Sequence, residues 1–155
     1  MITVEINRKP PRFLLDTNIL VAAARSKNGA SFALMSALAR NEFIAIASVP
    51  VFLEYEAVLL RPLQLEAAQR TAEQVNAFLD ALCKVIEPVH LHYLWRPQTR
   101  DPADEMILEA ALNGSADAIV TLNPKDFTAA QSFFLPILSP YEALVKINRQ
   151  HQKPY

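Results

Sequence analysis

The sequence predicts a three-layer α/β/α fold, with a central parallel sheet of four or five strands covered by helices. Three observations carry this expectation. Short apolar runs alternate with longer helical stretches, the order that successive β–α units produce. The first run, Phe13, Leu14 and Leu15, has no polar alternation, as in a strand buried on both faces. The chain has 155 residues, enough to bury one core, and residues 1–155 read as a single domain with its core over about 12–147.

The elements follow in order. Residues 12–16 form the first strand and 19–25 an Ala-rich helix. Ser26, Lys27, Asn28 and Gly29 are turn chemistry. Ser31 is placed to cap a helix through about residue 40, with Phe32, Leu34, Met35 and Leu38 on its apolar side. Residues 43–47 form a second strand. After Ser48 a helix carries Pro50 in its first turn, where a missing N–H costs little, and it stops near Arg61 and Pro62. Residues 63–84 read as helical throughout, with a capping box from Thr71 and Gln74 inside them. Residues 85–89 form a third strand or lead into one. Asp101 and Pro102 open a helix that ends at Asn113 and Gly114, a glycine stop. Residues 118–121 form a fourth strand, Asn123 and Pro124 a turn, residues 133–138 a fifth strand, and residues 140–147 a last helix.

The totals exclude several classes. Hydrophobic residues make up 52% and charged residues 20%, an ordinary globular balance that rules out a disordered or fibrous chain. No apolar run approaches a membrane span, and residues 1–11 lack the apolar core of a signal peptide, so no membrane is expected and the cytoplasm is the expected compartment. A lone Cys83 excludes an internal disulfide and a Cys-based zinc cluster. Only two glycines exist, too few for a phosphate loop or a dinucleotide fingerprint. The net charge of −1 argues mildly against nucleic acid, so RNA binding would rest on local Lys and Arg or on cations that offset the acids.

In a parallel α/β sheet, ligands sit outside the carboxyl ends of the strands. Polar residues there are the candidates. Asp16 closes the first strand, and Glu54 lies in the helix after the second. Asp101 and Asp104 begin the helix before the fourth, which Thr121 closes, and Asn123 and Asp126 follow it. Brought to one rim, these acids would repel and raise each other's pKa, a penalty that a hard divalent cation removes. Each also has a plainer reading. Asp16 with Thr17 could cap the following helix, Glu54 could face solvent, and Asp126 could be a turn acid. Asp101, Pro102 and Asp104 make a good helix start, and for Asp101 capping is the preferred reading. His90 and His92 alternate with no carboxylate pattern beside them. Tyr93 and Trp95 read as packing residues.

Taken together, these motifs resemble those of the PIN-domain family. Phe13-Leu14-Leu15-Asp16-Thr17-Asn18-Ile19-Leu20 looks like its opening motif, and Leu53-Glu54-Tyr55-Glu56-Ala57-Val58-Leu59 resembles its second acidic helix. The segments from Arg100 to Ile107 and from Ala118 to Phe127 resemble the third and fourth motifs, so that the likeness spans roughly residues 12–140. The closest subgroup is the VapC-like toxins of toxin–antitoxin pairs, which residues 62–84 also resemble. The resemblance implies an endoribonuclease dependent on Mg²⁺ or Mn²⁺ that hydrolyses phosphodiester bonds, leaving 5′-phosphate and 3′-hydroxyl ends. It implies metal ligands at Asp16, Glu54 and Asp104, with Asn123 and Asp126 as further positions and Thr17, Asn18, Asp101 and Thr121 in support. Many PIN domains have Asp where this chain has Asn123, which removes one charge from the rim. Arg25, Lys27, Arg100 and Lys125 flank the motifs as candidates for the RNA backbone, with solvated surface charge as the alternative. The implied partners are an RNA substrate, a cognate antitoxin protein and a second copy in a homodimer.

Two rival readings remain at this level. An aspartyl phosphatase would use Asp16 as nucleophile, but it wants a second Asp two residues on, where this chain has Asn18. A non-catalytic or housekeeping PIN module binding RNA or protein is made conceivable by Asn123 and disfavoured by Asp16, Glu54 and Asp104.

Overall fold

The computed structural model describes residues 9–92 and 101–151. Tyr93, Trp95 and Arg100 lie outside the described residues. Strands β1 (Arg12–Leu15), β2 (Ile44–Ala47), β3 (Glu87–Pro88), β4 (Ala118–Val120) and β5 (Ile137–Leu138) form one sheet in the order β3-β2-β1-β4-β5, and every pairing is parallel. The central strands are buried on both faces because helices cover each side, and this explains why Phe13, Leu14 and Leu15 are all apolar. The architecture is the three-layer α/β/α sandwich predicted from the alternation of elements.

On β1 follow α1 (Thr17–Arg25) and α2 (Ala30–Ala39), which pack together, and α2 also meets α7 (Pro140–His151). Between β2 and β3 lie α3 (Val49–Leu59), α4 (Pro62–Ala68) and α5 (Ala72–Val85). Helix α6 (Pro102–Asn113) lies against β1, β2 and β4 and touches α3. A 3-10 segment, Pro124–Phe133, joins β4 to β5. The core is one cluster, with Phe13, Leu14, Ile19, Leu34, Ile119 and Phe127 fully enclosed.

Several local expectations need correction. Residues 63–84 are two helices, because Gln69 takes a left-handed conformation (φ 54°, ψ 46°) and ends α4. Thr71 then starts α5 with the anticipated capping box, its Oγ1 accepting from Gln74 N–H while Gln74 Oε1 accepts from Thr71 N–H. Ser31 is not the cap of α2: the helix begins at Ala30 after Gly29, and Ser31 is buried in its first turn. Strand β5 is only two residues long, because the chain from Asn123 stays in 3-10 turns to Phe133, and Phe134 ends them in the left-handed region (φ 55°). Gly114 does stop α6, but for lack of space. Its φ is −90°, and the left-handed residue is Ser115. A Cβ at Gly114 would lie 2.6 Å from Val89 Cγ2 and 2.8 Å from Ile46 Cδ1.

Candidate active site

Chain direction in the sheet fixes where a site can form. From β1 the chain passes to β2 on one side, and its later part returns as β4 on the other. The connections therefore diverge at the carboxyl ends of β1 and β4, opening a crevice there. Asp16 and Thr121 are the first residues beyond those two ends. Asp16 N–H donates to the Val120 carbonyl at 2.9 Å, which carries the sheet pairing one step into the crevice.

Asp16 stands at the N-cap position of α1, yet its side chain makes no capping bond to the helix. The carboxylate turns toward β4 instead. Thr121 Oγ1 donates to Asp16 Oδ2 at 2.7 Å, and Thr17 N–H also donates to the carboxylate. The buried Thr121 hydroxyl is a junction. It accepts from Asn123 N–H at 3.0 Å and from Asn18 Nδ2 at 3.3 Å, while Asn18 Oδ1 accepts from Leu122 N–H at 3.3 Å. Thr17, Asn18 and Thr121 thus surround the first acid and fix the exit of β4 against the start of α1.

Electrostatics bring four aspartates together. Burial raises the Asp16 pKa above the ordinary carboxylate range, the Thr121 and Thr17 hydrogen bonds oppose it, and the charges of Asp126 and Asp101 raise it further. Asp104 is pushed up to about 6, by burial first and then by the charges of Asp126, Asp101, Asp16 and Glu105. Asp101 also caps α6, with its carboxylate accepting from Ala103 N–H at 2.9 Å. Asp126 is exposed on the first turn of the 3-10 segment and acts on both Asp16 and Asp104. Asn123 lies beside it, bound through its backbone to Thr121.

The other candidates lie further out. Glu54 is half-buried on α3 and is not among the charges that shift Asp16 or Asp104. Arg25 and Lys27 sit at the far end of α1, about 12 Å along the axis from Thr17 at 1.5 Å per residue. Arg25 is held there by Gln64 Oε1, at 2.8 Å from Nε and 2.5 Å from Nη2. Lys125 is exposed between Asn123 and Asp126, inside the acidic region.

Sequence reasoning missed two features. Glu105 and Glu109, one turn apart on α6, are both buried, because this helix is enclosed on most sides from Glu105 to Ala111. Tyr55 on α3 is wholly buried, and its hydroxyl donates to the Leu15 carbonyl, next to Asp16. A buried Tyr needs a partner for its hydroxyl. The polar tip among Val51, Tyr55 and Leu59 was the available signal.

Among the described residues, no three acidic, His or Cys side chains already close on one point as a metal cage. That is compatible with Mg²⁺, which keeps several waters and takes one or two carboxylates directly. The donors at the rim are all oxygens, a set that suits Mg²⁺ or Mn²⁺ better than Zn²⁺. The pKa of Asp104 is raised by burial and then by four neighbouring acids, a setting in which a cation would favour the ionised form. The residues fit the cation that the sequence resemblance implied.

Known proteins agree with this architecture. Solved structures share the fold, two of them as follows. A chain of the VapBC2 complex from Rickettsia felis, bound to a DNA fragment from its promoter, matches with a TM-score of 0.57 and 19% identity over 83% of this chain and 98% of that one. A chain of FitAB bound to the IR36 DNA fragment matches with a TM-score of 0.52 and 21% identity, over 83% of this chain and 95% of that one. No curated protein matches the sequence. The family model for the PIN domain matches residues 12–125, which include Asp16, Glu54, Asp104 and the start of the fourth motif up to Lys125. By this match over most of its length, with Asp16, Asp101, Asp104 and Asp126 gathered beside the crevice of the sheet, the chain belongs to the PIN-domain family.

Proposed function

We propose that this PIN domain is a Mg²⁺- or Mn²⁺-dependent endoribonuclease, the toxin of a toxin–antitoxin pair. One observation carries the reading. Asp16 and Asp104 are partly buried beside Asp101 and Asp126, and burial first, then the charges of these neighbours, raises the pKa of both. Such an arrangement is unfavourable without a cation. Asp16, Glu54 and Asp104 are the proposed ligands, with Asn123 and Asp126 toward a second ion. A bound cation would neutralise the rim, make water a stronger nucleophile and stabilise the charge that develops on a phosphodiester.

The chain's own residues supply orientation. Thr121 and the Thr17 N–H hold the Asp16 carboxylate in place and favour its ionised form. Asn18 and the Asn123 backbone hold Thr121 in turn. Lys125 is the cation best placed to meet an RNA phosphate. Lys27, at the other end of α1, would act only on a longer strand.

The similarity to chains of VapBC2 and FitAB supports a protein antitoxin as partner; a homodimer acting in the cytoplasm belongs to the same proposal. No described helix is long and apolar enough to cross a membrane. A non-catalytic module binding RNA or protein is the second reading. It is favoured by Asn123 in place of an acid and by the absence of a closed cage among the described residues.

The test is cleavage of single-stranded RNA by the purified chain. Activity should vanish in EDTA and return with Mg²⁺ or Mn²⁺. Asp16→Asn, Glu54→Gln and Asp104→Asn should each lower kcat at least a hundredfold while circular dichroism stays native. Near wild-type turnover in any of the three at saturating Mg²⁺ would remove that residue from the site. A wild type that binds Mn²⁺ but cleaves nothing would leave the binding-module reading.

A further inference from the structure

Tyr55 is the residue on α3 whose chemistry the fold alone does not explain. It is 1% exposed, and its ring meets Phe52 edge-on with centroids 6.2 Å apart. A phenylalanine would fill that space equally well. The hydroxyl is instead carried into the interior, where it needs a partner to offset the loss of water. It finds the Leu15 carbonyl.

That carbonyl has a particular place. The peptide joining Leu15 to Asp16 points its N–H toward β4, where it meets Val120 O. Its carbonyl therefore points the other way, toward β2. The register of β1 with β2 ends at Leu14 opposite Ile46, and after Ala47 the chain turns at Ser48 into α3. The next N–H facing the Leu15 carbonyl in that register would be that of Ser48, which has already left the strand to cap α3. Tyr55 takes that place from α3. One peptide plane is thus held from both sides, by β4 and by Tyr55, and Asp16 is attached to it. The same side chain sets the turn of α3 that carries Glu54 against the end of β1.

We propose that Tyr55 is a positioning residue for the cation site: its hydroxyl, bound to the Leu15 carbonyl, fixes the backbone of Asp16 relative to Glu54. This inference rests on the reading of Asp16 and Glu54 as ligands. Burial, and then the charge of Asp16, push the Tyr55 pKa up, which keeps the hydroxyl a neutral donor.

The experiment is Mn²⁺ titration calorimetry on the metal-free full chain, with thermal melting beside it, for wild type, Tyr55→Phe and Ser48→Ala. Ser48 caps α3 through Val51 N–H at 3.3 Å. It reports what loosening α3 does by itself. Both variants should melt a few degrees below wild type. Tyr55→Phe should bind Mn²⁺ about tenfold or more weakly, the scale seen when a group that orients a ligand is lost, and Ser48→Ala as wild type. On RNA, Tyr55→Phe should lose kcat with KM unchanged and regain part of it at high Mn²⁺. Wild-type Mn²⁺ affinity in Tyr55→Phe overturns the inference and leaves the nuclease reading standing. An equal loss in Ser48→Ala also overturns it, by making the effect one of stability. A wild type that binds no Mn²⁺ takes down both.

Discussion

Thr121 is the smallest residue on which the site depends. Its hydroxyl donates to Asp16 Oδ2 and accepts from Asn18 and from the Asn123 N–H, all within a buried junction. Thr121→Val keeps the shape and removes all three bonds. A buried acceptor and two donors lose their partner, at a cost of about 1–3 kcal/mol for a group left unsatisfied. The carboxylate would also be released from the orientation that a cation requires. We expect Thr121→Val to raise the Mg²⁺ concentration for half-maximal cleavage by about 10–100-fold, and to lower the melting temperature. An unchanged Mg²⁺ requirement, measured by titrating activity, would reduce Thr121 to a packing residue. The same scale shows why Asp101 and Asp104 differ although both open α6. Asp101 accepts from Ala103 N–H and caps the helix. Asp104, three residues further in, is pushed up to about 6 by burial and by its acidic neighbours.

At the scale of elements, α6 joins the site to the sheet. Its first turn presents Asp104, and its end is pressed onto β2 and the start of the segment after β3 through Gly114. Gly114→Ala would drive a Cβ to within 3 Å of Val89 and Ile46 side chains. Overpacking of this kind costs about 1–3 kcal/mol, and in a domain of this size each kcal/mol lowers Tm by about 2–4 °C. Asp104 lies about 15 Å away along the helix. Gly114→Ala should therefore melt earlier yet keep kcat and KM at a temperature where it is folded. A fall in kcat without a fall in Tm would show that the two ends of α6 are coupled. At the opposite edge Arg12 pairs Glu87 at 2.5 Å and donates to the Gly114 carbonyl at 3.0 Å. The exposed strand β3 and the end of α6 are thus tied to β1.

For the whole molecule, the acidic rim should set the pH dependence of stability. The folded pKa of Asp104 is raised to about 6 from an ordinary 3.8, and Asp16 is raised too. Between those values the folded chain binds more protons than the unfolded chain. Stability therefore falls as pH rises through that window and stays at its lower level above it. Without metal, the melting temperature of wild type should drop between pH 5 and pH 8 by more than that of Asp104→Asn. Mg²⁺ should stabilise the protein more at pH 8 than at pH 5, because it binds the ionised rim. Parallel pH curves for wild type and Asp104→Asn would show that Asp104 does not carry this field. The whole molecule also explains the weak net charge. A net charge of −1 hides a concentrated acidic crevice, with Lys125 inside it and Lys27 at a distance.

The sequence by itself determined the sheet, its parallel sense, the limits of most helices and the order of the acidic motifs. These follow from local patterns: apolar runs buried on both faces, Pro in first turns, Ser48 and Thr71 as caps. It also put Asp16 and Thr121 at the carboxyl ends of strands, the rim where ligands sit in a parallel sheet. Tertiary structure decided the rest. Whether residues 63–84 are one helix or two turned on a left-handed Gln69, a residue with no intrinsic claim to that conformation. Gly114 is required by the approach of Val89 and Ile46, which are far away in sequence. Arg25 looks free beside the first motif but is bound by Gln64 across α1 and α4. Tyr55 reads as one more apolar position until the end of β2 leaves the Leu15 carbonyl without a strand partner. Composition and spacing record what each segment prefers, whereas these four outcomes depend on which atoms other segments bring within hydrogen-bonding or van der Waals reach.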